Sequence, residues 1–270
     1  MIDAHFHIWR LARGDYGWLT PALGAIHRDF EIADWQRQAG PCGITGGILV
    51  QAAPTEAETR FLLDAAAQAT DAILGVVGWV DLARSDSAAR VERCAREPKL
   101  KGLRPMLQDI ADPDWILQSM ATPALAAMAA CKLTFDALAM PAHLPRIRTL
   151  ARRHPDLTIV IDHGAKPDIA GDRFEPWAAE IKRVADETGA FCKLSGLLTE
   201  AGSSPERTPR YLAHLLASFG PDRLIWGSDW PVLDRVADYA DWHAMAAAAV
   251  APDDRQAVFT DNAQRAYRLA

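Results

Sequence analysis

Two histidines one residue apart, His5 and His7, stand almost at the start of the chain in Asp3-Ala4-His5-Phe6-His7. Imidazole is the commonest metal ligand at neutral pH, and two rings on a common face could share one divalent ion. In a short strand successive side chains alternate, which puts Ile2, Ala4 and Phe6 on one side and Asp3, His5 and His7 on the other. If that strand ends facing into a closed barrel, the pair is held rigidly. Taken alone, it reads more simply as two solvated or core histidines. The elements that would have to position it decide between the two.

Short aliphatic or β-branched runs recur at Ile2–Phe6, Gly47–Gln51, Leu74–Val80, Leu100–Arg104, Leu133–Ala137, Thr158–Asp162, Ala190–Leu194 and Leu224–Ser228. Helical spacing follows most of them, at Glu56–Ala69, Ser85–Arg96, Asp114–Ala130, Leu144–Arg153, Glu175–Thr188, Pro209–Phe219, Asp234–Val250 and Pro252–Arg268. Eight strand runs alternating with helices predict a parallel sheet with helical crossovers, closed as a (β/α)8 TIM-type barrel. No Gly-x-Gly-x-x-Gly follows the first run, which argues against a dinucleotide fold. No Pro/Gly-rich linker divides the chain, so residues 1–270 read as one domain. The long connection from Ile8 to Phe30 is the exception to short loops, and such a loop at strand C-termini usually covers a site.

In such a barrel the chemistry sits at the C-terminal ends of the strands. Those ends carry His5 and His7, Gln51, Arg104-Pro105, Asp162-His163-Gly164-Ala165-Lys166-Pro167, Lys193-Leu194-Ser195-Gly196 and Trp226-Gly227-Ser228-Asp229-Trp230-Pro231. His163 is assigned the inward parity of Ile159 and Ile161. Singly, each has a plain reading: Asp162 or Asp229 as a helix cap, Lys193 as a solvated charge, the tryptophans as core. Together, three histidines, an aspartate, an arginine and two lysines at successive strand ends are hard to explain as packing. His27, His143, His154, His214 and His243 fall in loops or helices and read as structural.

Composition narrows the partners. The chain is 50% apolar and 24% charged, an ordinary globular balance, and its net charge of −6 offers no basic face to nucleic acid or to an anionic membrane. No apolar window is long enough to span a bilayer, and the N-terminus lacks a signal-peptide pattern. Cys42, Cys94, Cys131 and Cys192 form no Cys-x-x-Cys pair and read as reduced, mostly buried thiols of a cytoplasmic protein. A small neutral or weakly anionic ligand suits this chain, and a homo-oligomer is compatible with it.

The strand-end motifs, with Trp9, Gly14-Asp15-Tyr16, Trp18-Leu19, Val50-Gln51-Ala52 and Gly78-Trp79-Val80-Asp81, resemble the lactonase branch of the amidohydrolase superfamily, which acts on sugar-acid lactones and pyrone dicarboxylate. The resemblance implies one site faced by His5, His7, His163 and Asp229, able to hold one divalent metal, zinc first among candidates, with metal-independent catalysis left open. The ends of strands four and five offer Arg104 and Asp136-Ala137-Leu138 without a bridging lysine or an obvious glutamate, so a two-metal site is not expected. The implied reaction is hydrolysis of an aldonolactone. Asp229 serves as general base, His5, His7 and His163 hold the ion or, without one, hydrogen-bond the carbonyl, Arg104, Lys166 and Lys193 stabilise negative charge, and Gln51, Ser195, Trp9, Trp18, Trp79 and Trp230 form the substrate pocket. A decarboxylase of aromatic acids, a pyrone-dicarboxylate-type lactonase and a non-catalytic binding barrel remain the alternatives.

Overall fold

The computed structural model describes residues 1–69 and 71–269. Eight parallel strands pair in chain order: β1 (Ile2–Phe6), β2 (Gly46–Val50), β3 (Ile73–Gly78), β4 (Leu100–Leu103), β5 (Thr134–Ala137), β6 (Ile159–Ile161), β7 (Phe191–Leu194) and β8 (Leu224–Trp226). The residues just past β8 return to β1, with Asp229 N donating to His5 O at 2.8 Å and His7 N to Trp230 O at 2.7 Å. That seam closes the barrel. Gly227 makes the approach feasible, because a Cβ there would lie 2.7 Å from His5 Cβ.

Helices cover the outside: α1 (Ile32–Ala39), α2 (Glu56–Gln68), α3 (Ser87–Cys94), α4 (Thr122–Ala130), α5 (Leu144–Arg153), α6 (Trp177–Glu187), α7 (Leu197–Ala201), α8 (Thr208–Phe219), α9 (Tyr239–Ala249) and α10 (Asn262–Tyr267). Local chemistry sets their starts. Thr55 caps α2 by accepting from Glu58 N, and Glu31 and Asp34 form a reciprocal box at the start of α1. The expected Asp114–Ala130 helix is instead a short turn at Trp115–Leu117 followed by α4. Pro123 explains the break, since proline starts a helix readily and cannot continue one. The stretch from Asp234 divides likewise, with α9 beginning only at Tyr239.

Strand faces follow from packing. Ala4, Ile48, Val50, Val77, Val160 and Ile225 point inward, where Ala263, Ala266 and Tyr267 of α10 close the floor. Leu49, Val76, Phe135, Ile159 and Ile161 face out beneath the helices. Two parity expectations are thereby corrected. In β1 the pairing Asp3↔Gly47 and Phe6↔Leu49 takes three steps against two, a bulge that reverses the alternation between Ala4 and His5. Asp3 therefore faces outward with Phe6, accepting from Trp35 Nε1 and the Tyr239 hydroxyl at 2.9 Å each and from Ser228 Oγ at 2.6 Å. His5 and His7 keep the inward face. On β6, Ile159 and Ile161 point outward, so His163 reaches the interior by another route, described below.

The long loop from Ile8 to Phe30 is pinned at its base by Trp9 and Phe30, which exchange backbone hydrogen bonds. Cys192 is buried, whereas Cys42, Cys94 and Cys131 are partly exposed, which corrects the expectation of mostly buried thiols. Among the described residues no helix is long and apolar enough to cross a membrane.

Candidate active site

At the C-terminal mouth, Asp229 Oδ1 lies 3.3 Å from His7 Nε2, 3.6 Å from His5 Nε2 and 3.8 Å from His163 Nε2. His5 and His7 come from β1 and the residue after it. His163 comes from a left-handed turn in which His163, Gly164, Ala165 and Lys166 all have positive φ, between 49° and 61°. This turn, not strand parity, aims the imidazole inward. Asp229 also has a positive φ of 60°, and such conformations cost about 1–3 kcal/mol each, a cost typically met at functional positions. Gly196, at φ 65°, leaves room for the ring, since a Cβ there would meet His163 Nδ1 at 2.6 Å.

Each ring is fixed from behind. His7 Nδ1 lies 2.7 Å from Val50 O. A carbonyl only accepts, so His7 carries its proton on Nδ1 and turns the Nε2 lone pair to the site. His163 Nδ1 is 2.8 Å from Ser195 Oγ. His5 Nδ1 has two partners of opposite kind, Lys193 Nζ at 3.1 Å and Asp162 Oδ1 at 3.5 Å. The ammonium places the His5 proton on Nε2, 3.2 Å from His7 Nε2; the carboxylate would accept it on Nδ1 and free Nε2 to ligate.

Beneath the histidines lies a fully buried ionic layer. Lys193 Nζ is 2.6 Å from Asp136 Oδ2 and 3.0 Å from Asp162 Oδ1, and Tyr267 donates to Asp136 from the floor at 2.7 Å. Arg104 sits 3.2 Å from Asp162 Oδ2 and donates to Gln51 Oε1 through Nε at 3.0 Å and through NH2 at 2.8 Å. Burial would raise both acids. For Asp162 the charges of Lys193, His5 and Arg104 outweigh burial and hold it well below the usual range. For Asp136 burial wins, and its pKa is pushed up to about 6 despite Lys193.

The face toward the mouth titrates differently. Burial lowers His163 to about 4, and burial with the Lys193 charge drives His5 well below its ordinary value. Burial would raise Asp229, yet the surrounding imidazoles and the His7 hydrogen bond hold it well below the normal carboxylate range. On acidification the first proton therefore goes to an imidazole, and Asp229 stays ionised. Two nitrogen donors and a carboxylate fit a divalent ion: His5, His163 and Asp229 each offer an atom within 4.8 Å of the others. His7 falls outside that mutually close trio.

A cavity of 340 Å³ opens above this centre, bordered by His7, Arg104, His163, Asp229 and Trp18. Lys166 borders it too, 3.6 Å from Glu200 Oε1. Several residues expected in the site lie elsewhere. Lys193 is entirely buried under His5 and pairs with carboxylates. Gln51 grips Arg104, and Ser195 grips His163. Trp9 and Trp230 are buried behind the wall, in ring contact with Phe30, because their strand-end positions point away from the cavity. Trp79 borders an adjoining cavity. Glu200 and Arg235 do line the site and are absent from the sequence-based set. They sit in α7 and in the turn after Pro231, beyond the strand ends where that reading stops.

Fold and site together define a (β/α)8-barrel protein with a histidine–aspartate centre capable of holding one metal ion. The family model described as amidohydrolase matches residues 2–269, and the chain belongs to that family. An L-fucono-1,5-lactonase from Burkholderia ambifaria is 45% identical over 278 residues, covering 99% of this chain and 95% of the relative. A second L-fucono-1,5-lactonase, from Burkholderia multivorans, is 33% identical with 99% and 96% covered. A solved amidohydrolase from Burkholderia multivorans with bound zinc superposes with a TM-score of 0.93 at 32% identity, covering 100% of this chain and 99% of that one.

Proposed function

We propose that this protein hydrolyses a sugar-acid (aldono) lactone to the open-chain acid. The observation that carries the reading is an ionised, buried Asp229 facing the Nε2 atoms of His5, His7 and His163 on the floor of a small cavity. The 45% identity to an L-fucono-1,5-lactonase supports the substrate class.

In this mechanism Asp229 accepts a proton from water as the water oxygen attacks the ring carbonyl, giving a tetrahedral oxyanion. The carbon–ring oxygen bond then breaks, and Asp229 returns the proton to the departing alkoxide. Arg104, at the cavity edge with its guanidinium locked by Gln51 and Asp162, donates toward the oxyanion. Lys166 and Arg235 at the mouth attract the carboxylate product. Lys193, buried one layer below, is a positioning residue for His5 rather than a group that touches substrate. A divalent ion, zinc by the nature of the donors, would be held by His5, His163 and Asp229 and would supply Lewis-acid polarisation of the carbonyl.

A panel of aldono-1,4- and 1,5-lactones followed by proton release tests the reading, with carbon dioxide release from hydroxybenzoic acids as its counterpart. Turnover of lactones above the spontaneous rate is the expected result. Decarboxylation without lactone turnover, or neither activity, would overturn it. Elemental analysis of the active protein should find one zinc per chain, and chelation should lower the rate in parallel with metal loss. Full activity with no metal present would remove the ion from the mechanism and leave the lactonase reading intact.

A further inference from the structure

Beside the catalytic cavity lies a second, larger one of 630 Å³, built from the loops after β2, β3 and β4 and from the long first loop. The two share Trp18, Met106 and Asp109 as a common wall. The second cavity reaches no catalytic group. Its walls carry three indoles, Trp18, Trp79 and Trp115, all partly exposed, with the carboxylates of Asp15, Asp81 and Asp109 among them. Among the described residues no lysine, arginine or histidine lines it.

We infer that this second cavity is an outer subsite for a neutral glycosyl unit carried on the lactone, so that the substrate class includes glycosyl-aldonolactones. The inference rests on the lactonase reading for the inner cavity. Aromatic faces pack against the C–H faces of a sugar ring, and carboxylates accept from its hydroxyls, so the lining combines the two contacts a neutral sugar makes. Among the described residues the lining itself supplies no cation, and Arg13 behind it is already paired with Asp15 at 2.6 Å, which disfavours an anionic substituent entering among the carboxylates. Continuity through Trp18 and Asp109 lets one ligand occupy both cavities. A monosaccharide lactone held at Asp229 sits within the inner cavity and leaves the outer one to what it carries.

The test compares glucono-1,5-lactone with its 4-O- and 6-O-glucosyl derivatives in the wild-type protein, Trp115→Ala and Ala83→Trp. Trp115→Ala removes a stacking face, and Ala83→Trp fills the cavity from a partly exposed position on its wall. At least one glucosyl lactone should be hydrolysed with kcat/KM no lower than that of the parent. Each variant should lower that value by ~10-fold or more while leaving the parent lactone within about 2-fold. Saturation-transfer NMR with methyl β-cellobioside, which is not a lactone, supplies a readout independent of turnover. Transfer to the glycoside protons in wild type, lost in both variants, is the expected result; where neither parent nor glucosyl lactone is turned over, it keeps the subsite and places the failure on the lactonase reading. No transfer, turnover of the parent lactone alone, equal losses on both substrates, or the same variant dependence for an alkyl- but not a glucosyl-substituted lactone would overturn the proposal.

Discussion

Replacing Lys193 by methionine keeps the length of the side chain and removes the charge from the middle of the barrel. The ammonium is fully buried and touches Asp136, Asp162 and His5 within 3.1 Å. Its loss strands two carboxylates without their strongest partner, and breaking a buried pair in this way costs about 3–5 kcal/mol. Unfolding entropy for a chain of this length is roughly 0.6 kcal/mol per degree, so the melting temperature should fall by about 5–9 °C. Calorimetry of wild type and Lys193→Met reads this directly, with circular dichroism confirming that the variant folds. Adding Asp136→Asn to Lys193→Met removes one stranded charge and should recover part of the loss. A melting temperature unchanged within ~1 °C, together with a kcat reduced by ~100-fold or more, would refute the reasoning and return Lys193 to the role of a cation that meets the oxyanion.

Further outcomes follow from the geometry of the mouth. Because burial depresses His163 to about 4, the metal-free protein should protonate this ring near pH 4 rather than near the ordinary imidazole value, read from its NMR signals over pH 3–8. The same depression makes acid labilise the fold: the unfolded chain takes up a proton near pH 6.5 and the native His163 only near 4, so stability declines as pH falls through that window. Because Glu58, Asp136 and Asp234 are raised into the same window and act in the opposite sense, the loss is read by difference: urea unfolding of the metal-free protein and of His163→Gln at pH 7.5 and pH 5 should show a less favourable pH change in wild type, and an equal change in both would contradict it. Ser195→Ala removes the partner 2.8 Å from His163 Nδ1 and should lower kcat or metal affinity by about 10-fold without changing the fold. An unaltered kcat and metal content in that variant would show that His163 is oriented by packing alone.

The strand count, the barrel and the inward pair His5 and His7 are legible in the sequence because strands such as β2 and β6 are buried on both faces and read as unbroken apolar runs, against which the imidazoles of β1 stand out. The same is true of Arg104, His163 and Asp229, which end or follow strands, where a barrel gathers its polar groups. Facing was harder to read. One extra residue in β1 puts Asp3 and His5 on opposite faces, and four successive left-handed residues turn His163 inward from a strand whose isoleucines point out. Depth was also hidden. Lys193 pairs in register with Ile225 on the barrel floor, so an inward lysine one position before a strand end lies a full layer below the cavity. Glu200 and Arg235 belong to segments after the strands, and only the closed fold returns them to the mouth.

The central claim is that Asp229 moves the proton between water and the leaving oxygen. Asp229→Asn keeps the shape of the side chain and removes the base, and the direct measurement is its kcat for an aldono-1,5-lactone beside its melting curve. The account predicts a loss of ~100-fold or more in kcat with the protein still folded. A folded Asp229→Asn protein that hydrolyses the lactone at the wild-type rate would contradict it.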